Sequence, residues 1–180
     1  QLRYQHALAR VRGAVWRMQS IDETYILLDA IRLALREAKI LFADCGINVI
    51  IGTEGQPKTL FYDRDDKTWR YGTPSQGSDN ILHFWQSGKT VYRPDLERED
   101  LYGERAHISE FFAESIRSVI DIPFARGTLA VNSTFAHAFD KETIAFLEEL
   151  TSIMEEGFGR LQDLDLLTRH MREAETMALA

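Results

Sequence analysis

The chain has 180 residues, which suffices for one domain with helical extensions and a sizeable core but not for a second full domain. Its 28 acidic and 21 basic residues give a formal charge of -7, and Arg3, Arg10, Arg12 and Arg17 are scattered among apolar positions, so no nucleic-acid partner is expected. The single cysteine, Cys45, excludes an internal disulfide and a cysteine-based zinc cluster, and no apolar run approaches the roughly 18–20 residues of a membrane span, so a cytoplasmic chain without membrane insertion is expected.

The chain begins at Gln1 rather than at methionine, which leads us to expect a piece of a longer protein. From Tyr4, apolar residues recur at Leu8, Val11, Val15 and Met18, one heptad-like helical stripe. That spacing predicts a dimerisation or signalling helix over residues 1–19. The run Ser20-Ile21-Asp22-Glu23 offers a capping box for a second helix. Its inner face carries Leu27 or Leu28, Ile31, Leu35, Ala38 and Leu41 or Phe42, and Gly46 supplies its stop. Residues 47–53 are β-branched and read as the first buried strand. Residues 58–63 and 67–72 read as a hairpin around Arg64-Asp65-Asp66. The acidic group Asp63, Asp65 and Asp66 lacks the further ligands and the glycine of a calcium loop, so it reads as a solvated turn.

Residues 77–88 predict a short helix closed by Gly88, and residues 90–95 an extended segment. A charged loop follows, and a second short helix is expected around 109–117 with Phe111, Phe112 and Ile116. Residues 118–134, "SVIDIPFARGTLAVNST", form two strand-like runs separated at Arg126-Gly127. Asp140 then caps the last helix, with Phe139 and Ile144 placed to staple its start. Leu147, Leu150, Met154, Gly157, Leu161, Leu164, Thr168 and Met171 continue a three-four alternation beyond what one small sheet can cover, interrupted at Gly157 and Thr168. The expected dimer interface is therefore Leu8, Val11, Val15, Met18, Leu161, Leu164 and Met171. Sequential antiparallel strands with helices at both ends predict an α+β sandwich, long helices on one face and short ones on the other.

Residues 118–158 resemble the ending of a GAF domain. They contain the strand Ile122-Pro123-Phe124, a glycine turn, the strand Leu129-Ala130-Val131, Phe139 before acidic Asp140, and a helix with paired leucines. Upstream, "WQSGKTVYRPD" is similar to the short helix, glycine and strand of that family, and the resemblance covers about residues 22–160. It implies a PAS-related six-stranded antiparallel sheet sandwiched by helices, with a small-molecule pocket or its vestige between the sheet and the short helices. A PAS-like domain also ends in a hairpin and a signalling helix, but it has no core helix ahead of its first strand like the segment from Tyr25 to Phe42. The organisation expected is a signalling helix at 1–19, a GAF domain at 20–160 and an extension of the signalling helix at 161–180.

Such domains serve as sensory or dimerising modules of histidine kinases, diguanylate cyclases, phosphodiesterases and transcription regulators. The resemblance implies a homodimer that binds a small molecule and passes its state through the C-terminal helix to an output domain of histidine kinase or diguanylate cyclase type. A ligand-free dimerisation module is the alternative, and a small-molecule-modifying enzyme ranks third. Ligand-binding candidates are Trp85, Arg93, Asp95, His107, Phe111 and Asn132. All but Asn132 also have a plainer reading: Arg93 with Asp95 as a surface ion pair, the aromatics as core, His107 as a surface histidine. Tyr102 and the charged loop around it read either as a lid or as a mobile solvated loop.

The cyclic-nucleotide signature of the family fails here, because Ser133 follows Asn132 and the acids after Phe139 are misplaced. Cys45 lies before the expected first strand, where no bilin attachment is anticipated. The subgroup of this fold that reduces free methionine sulfoxide works through several cysteines, and this chain has one. No catalytic residue is proposed, since there is no glycine-rich phosphate loop, nucleophile elbow or cysteine set. The histidines at 6, 83, 107, 137 and 170 include no i,i+3 or i,i+4 pair, so no metal site is expected. No motif identifies a cofactor.

Overall fold

Alternating side chains on a central hairpin and three amphipathic helices define the architecture. The computed structural model describes residues 2–51, 58–63, 65–71 and 76–178. In chain order the elements are α1 (Leu2–Arg17), a 3-10 turn (Ile21–Glu23), α2 (Thr24–Glu37), β1 (Asp44–Ile51), β2 (Lys58–Asp63), β3 (Thr68–Tyr71), α3 (Gln76–Ser87), β4 (Val91–Arg93), α4 (Arg105–Ser109), β5 (Ser118–Phe124), β6 (Gly127–Ser133) and α5 (Lys141–Ala178). The six strands form one sheet of order β3-β2-β1-β6-β5-β4, and every neighbouring pair is antiparallel. The fold is therefore the expected α+β arrangement. The ends expected for the first strand at Gly52 and Thr53 and for the third at Gly72 lie outside the described residues.

Successive strand residues face opposite sides of the sheet. Cys45 and Ile47 of β1, Ile120, Ile122 and Phe124 of β5, and Leu129 and Val131 of β6 point to one side. There they join Leu27, Leu28, Ile31 and Leu35 of α2 and Phe146, Leu147, Leu150 and Met154 of α5 in the main core. Helix α3 contacts β5 and β6. Pro123 sits within β5 but beyond the three residues of β4 that pair with Val119, Ile120 and Asp121, so its missing amide breaks no ladder bond on that side.

Several local expectations are corrected. The hairpin loop is Ala125-Arg126, because Gly127 already pairs with Phe124 at the start of β6. Gly127 is required by proximity: a Cβ there would stand 1.8 Å from the Asn48 carbonyl oxygen of β1. Helix α2 does not run to Gly46, which lies inside β1. It ends at Glu37 with Ala38 as cap, closed by left-handed Lys39 (φ 60), whose N–H donates to Arg36 C=O while Ile40 N–H donates to Leu35 C=O, the paired bonds of a Schellman motif. The expected capping box does not form: Ser20 makes no side-chain cap, and Glu23 accepts from Gln19 N–H at 2.7 Å rather than from Ser20 N–H. Cys45 lies within β1 rather than before it. The second short helix is α4, ending at Ser109 rather than extending through Phe111, Phe112 and Ile116.

At the N-terminus, Leu8, Val11, Val15 and Met18 are buried inside their own chain, with α1 lying on α2 and α5. These four side chains have little surface left for a partner. Gly157 explains the close approach: a Cβ on it would stand 2.3 Å from Val15 Cγ1, so the residue that breaks the leucine pattern admits α1. Three residues on, Arg160 Nη2 donates to the carbonyls of Val15 at 3.0 Å and Met18 at 2.5 Å, with its guanidinium 5.1 Å from the centroid of the Trp16 ring. The side chain of Thr168, the other expected interruption, lies outside the described residues.

Candidate functional site

The sheet face away from the main core carries a polar chain where strand alternation would ordinarily place apolar groups. Arg93 of β4 lies opposite Val119, and Val91 opposite Asp121, so Arg93 and Asp121 project from neighbouring strands to the same side. Arg93 is 4% exposed and its three nitrogens are engaged. Nε donates to Glu104 Oε2 at 2.8 Å, Nη2 to Glu104 Oε1 at 2.9 Å and Asp121 Oδ2 at 2.6 Å, and Nη1 to the Val91 carbonyl at 2.6 Å. Thr128 Oγ1 lies 3.4 Å from Asp121 Oδ1, and Asn48 Nδ2 donates to Thr128 Oγ1 at 3.1 Å, carrying the chain across β6 to β1. The guanidinium carbon lies 4.5 Å from the centroid of the Phe84 ring on α3, a cation–π distance. The Tyr102 ring meets Phe84 edge-on at 4.9 Å.

A tight turn delivers Glu104 to this face. Gly103 N–H donates to Asp100 C=O at 3.1 Å, and Gly103 adopts φ 65, a left-handed conformation that glycine tolerates without strain. The Asp100 carboxylate accepts from the amides of Glu104 at 2.7 Å and Arg105 at 3.2 Å, and Asn80 Nδ2 of α3 holds the Tyr102 carbonyl at 3.2 Å.

Two carboxylates thus face one guanidinium in a dry site. Burial pushes the Glu104 carboxyl above its usual range; Arg93 pulls it down, but Asp121 and Asp100 add to the upward shift. For Arg93, burial opposes the charge, and Asp121 and Glu104 together hold the guanidinium above its ordinary value.

The sequence-derived candidates do not assemble around one cavity. Arg93 and Asp95 do not pair: Asp95 is held by Arg117, through Nε at 2.9 Å and Nη2 at 2.7 Å, and those hydrogen bonds keep its carboxyl below the usual range. Trp85 Nε1 donates to the Phe124 carbonyl at 3.1 Å, fastening α3 to the hairpin. His107 meets Phe111 edge-on at 5.0 Å, and Phe111 is 68% exposed rather than lining a core. Asn132 lies opposite Val119, and its carbonyl accepts from Ala43 N–H at 2.7 Å. An open groove of about 500 Å³ beside α4 is lined by Asp100, Arg105, Ile108, Ser109, Phe112 and Ile116, among others; Trp85, Arg93 and His107 do not line it. Among the described residues no group of three or more His, Cys, Asp or Glu side chains is placed to hold a metal, and no helix is long and apolar enough to cross a membrane.

Sequence reasoning missed Glu104, Asp121, Phe84, Thr128 and Asn48. Asp121 had a signal, because a lone carboxylate inside "SVIDIPF" must be partnered if that strand is buried. Glu104 had none, since it is one acid among several in a charged loop.

No family model and no curated protein matches the sequence. Solved structures do match. The GAF domain of a phosphoenolpyruvate-protein phosphotransferase from Coxiella burnetii aligns with TM-score 0.63 and 15% identity over 91% of this chain and 98% of that one. A free methionine-R-sulfoxide reductase from Neisseria meningitidis, solved with its substrate, gives 0.61 and 19% over 89% and 91%. The GAF domain of a two-component sensor histidine kinase from Bacillus halodurans gives 0.53 and 15% over 84% and 99%. With its single antiparallel sheet flanked by helices, this chain has the GAF-domain fold.

Proposed function

We propose that this chain is a sensory and regulatory module of a longer, cytoplasmic signalling protein, homodimeric through the free end of α5, which relays the state of the sheet to an output domain. The carrying observation is the reach of α5. Among the described residues its last buried side chain is Leu161, yet the helix continues to Ala178, roughly 25 Å further. Leu164 is 40% and Met171 57% exposed along that length. An extension of this kind has little of its own domain to lie on, and pairing with a second copy would cover its apolar side chains. Because Leu8, Val11, Val15, Met18 and Leu161 are buried within the chain, the pairing surface rests on Leu164 and Met171.

An output domain of histidine kinase or diguanylate cyclase type fits this reading, supported by the sensor-kinase origin of one structural relative. A second reading, a dimerisation module with no ligand, is favoured by one observation: Arg93, Glu104, Asp121 and Phe84 occupy the sheet face beneath α3. An enzymatic role like that of the reductase relatives finds less support, because Cys45 is buried among the helix-facing core residues, on the other side of the sheet from the polar chain. We assign no catalytic residue and no cofactor to this segment. Light scattering on the purified chain tests the relay reading. The expected mass is twice 20.7 kDa, falling to the monomer value when Leu164→Glu and Met171→Glu are combined. A monomeric wild type, or a variant that remains dimeric, overturns it.

A further inference from the structure

We infer that Tyr102-Gly103-Glu104 is a built-in occupant of a ligand site, and that the ligand it stands in for is a small aromatic carboxylate. The inference rests on the sensory reading above and specifies the ligand class.

The Glu104 carboxylate meets Arg93 fork to fork, at 2.8 and 2.9 Å, the arrangement by which a guanidinium recognises a free carboxylate. Two residues earlier in the same turn, the Tyr102 ring lies edge-on to Phe84, the ring over which Arg93 also stacks. Gly103, at φ 65, makes the bend between them. One short segment therefore offers one carboxylate and one aromatic ring to a receptor of one guanidinium and one aromatic ring. The receptor groups come from β4 and α3, and the occupant comes from a loop.

The occupant is also detachable. From Glu97 to Leu101 the side chains that lead into it are exposed, whereas the preceding Leu96 is anchored with Ile116 and Val119. Asn80 of α3 donates a half-buried hydrogen bond to the Tyr102 carbonyl at 3.2 Å, and opening the loop would have to break it. Exchanging the Glu104 carboxylate for that of a ligand leaves the buried charge unchanged, with one guanidinium still facing two carboxylates. The upward shift of the Glu104 carboxyl, caused first by burial, shows that its ionised form is held at a cost. A ligand must outcompete the loop, so its apparent affinity is reduced by the fraction of molecules in which the loop is closed.

Calorimetric titration with 4-hydroxyphenylacetate tests this on the full chain. The Tyr102→Ala, Glu104→Gln double variant should bind the probe at least about tenfold more tightly than wild type, because the internal competitor is gone. Adding Arg93→Lys, which keeps the charge but loses the fork, should weaken binding by at least about tenfold. A folded double variant that binds no better than wild type, or binding indifferent to Arg93→Lys, overturns the inference. If the double variant shows no cooperative unfolding, Glu104→Gln alone is judged by the same two outcomes. The mass of the same samples reports on the relay reading separately, so the failure of one is distinguishable from failure of the other.

Discussion

Two glycines set how closely the elements of this domain approach. Replacing Gly127 by alanine drives a methyl group into the Asn48 carbonyl oxygen, and neither backbone can move without parting β1 from β6. The expected loss is at least about 2 kcal/mol in denaturant unfolding. Gly157→Ala meets a side chain instead, so a cost of about 1–3 kcal/mol is expected, and part of it should return when Val15→Ala is added. Additive losses in that double-mutant cycle would show that the contact between α1 and α5 does not depend on this fit. Neither role was legible in the sequence. A glycine that breaks a leucine pattern looks like a defect until the helix lying across it is known.

At the scale of elements, the start of α5 was the most legible feature, because Phe139, Asp140 and Ile144 combine a cap and a staple within one short run. Asp140 Oδ1 accepts from Thr143 N–H at 2.8 Å, and that bond holds its carboxyl below the usual range. Asp140→Ala should cost about 1 kcal/mol near neutral pH. Since the folded pKa is depressed, the contribution is present above the unfolded value of about 3.9 and is lost as pH falls through the folded one. Urea titrations of wild type and variant should therefore converge in acid, and a constant gap would refute the cap. The two hairpins, β2 with β3 and β5 with β6, were legible from strand-forming runs and turn residues, whereas the order that sets β1 beside β6 was not, because no local pattern encodes a pairing across most of the chain. The end of α2 was not, because Lys39 takes a left-handed conformation that its residue type does not advertise. Helix α4 was misplaced because Phe111, Phe112 and Ile116 mimic helical spacing, although only Ile116 is fully buried.

Across the whole molecule, the sheet presents an apolar face to the long helices and a charged network on its other side. The fold could be read ahead of the structure because many weak local preferences agree. The site could not, because Arg93 takes partners eleven and twenty-eight residues away instead of the nearby Asp95. The network also sets how stability responds to pH. The folded pKa of Glu104 is raised, so its favourable contribution is complete below the unfolded value of about 4.3 and is lost as pH rises through the folded value. Measured against Glu104→Gln, wild-type stability should therefore fall as pH rises through that window. A flat difference would mean that Arg93 balances burial at this position, and one that increases with pH that Arg93 outweighs it.

The Arg160 contact bears on what α5 can transmit. By fastening the carbonyls of Val15 in α1 and of Met18 just past it, it would set a fulcrum near the middle of the long helix in the proposed relay. The helix extends roughly 27 Å to either side of that point, one arm over the sheet and the other beyond the core. A lever with nearly equal arms passes a tilt outward at about its original size, with its sense reversed. In the relay proposed above, rearrangements at the sheet would therefore arrive at the far end of α5 as motions of similar extent in the opposite direction, and an output domain attached there would have to respond to displacements no larger than those the sheet itself makes.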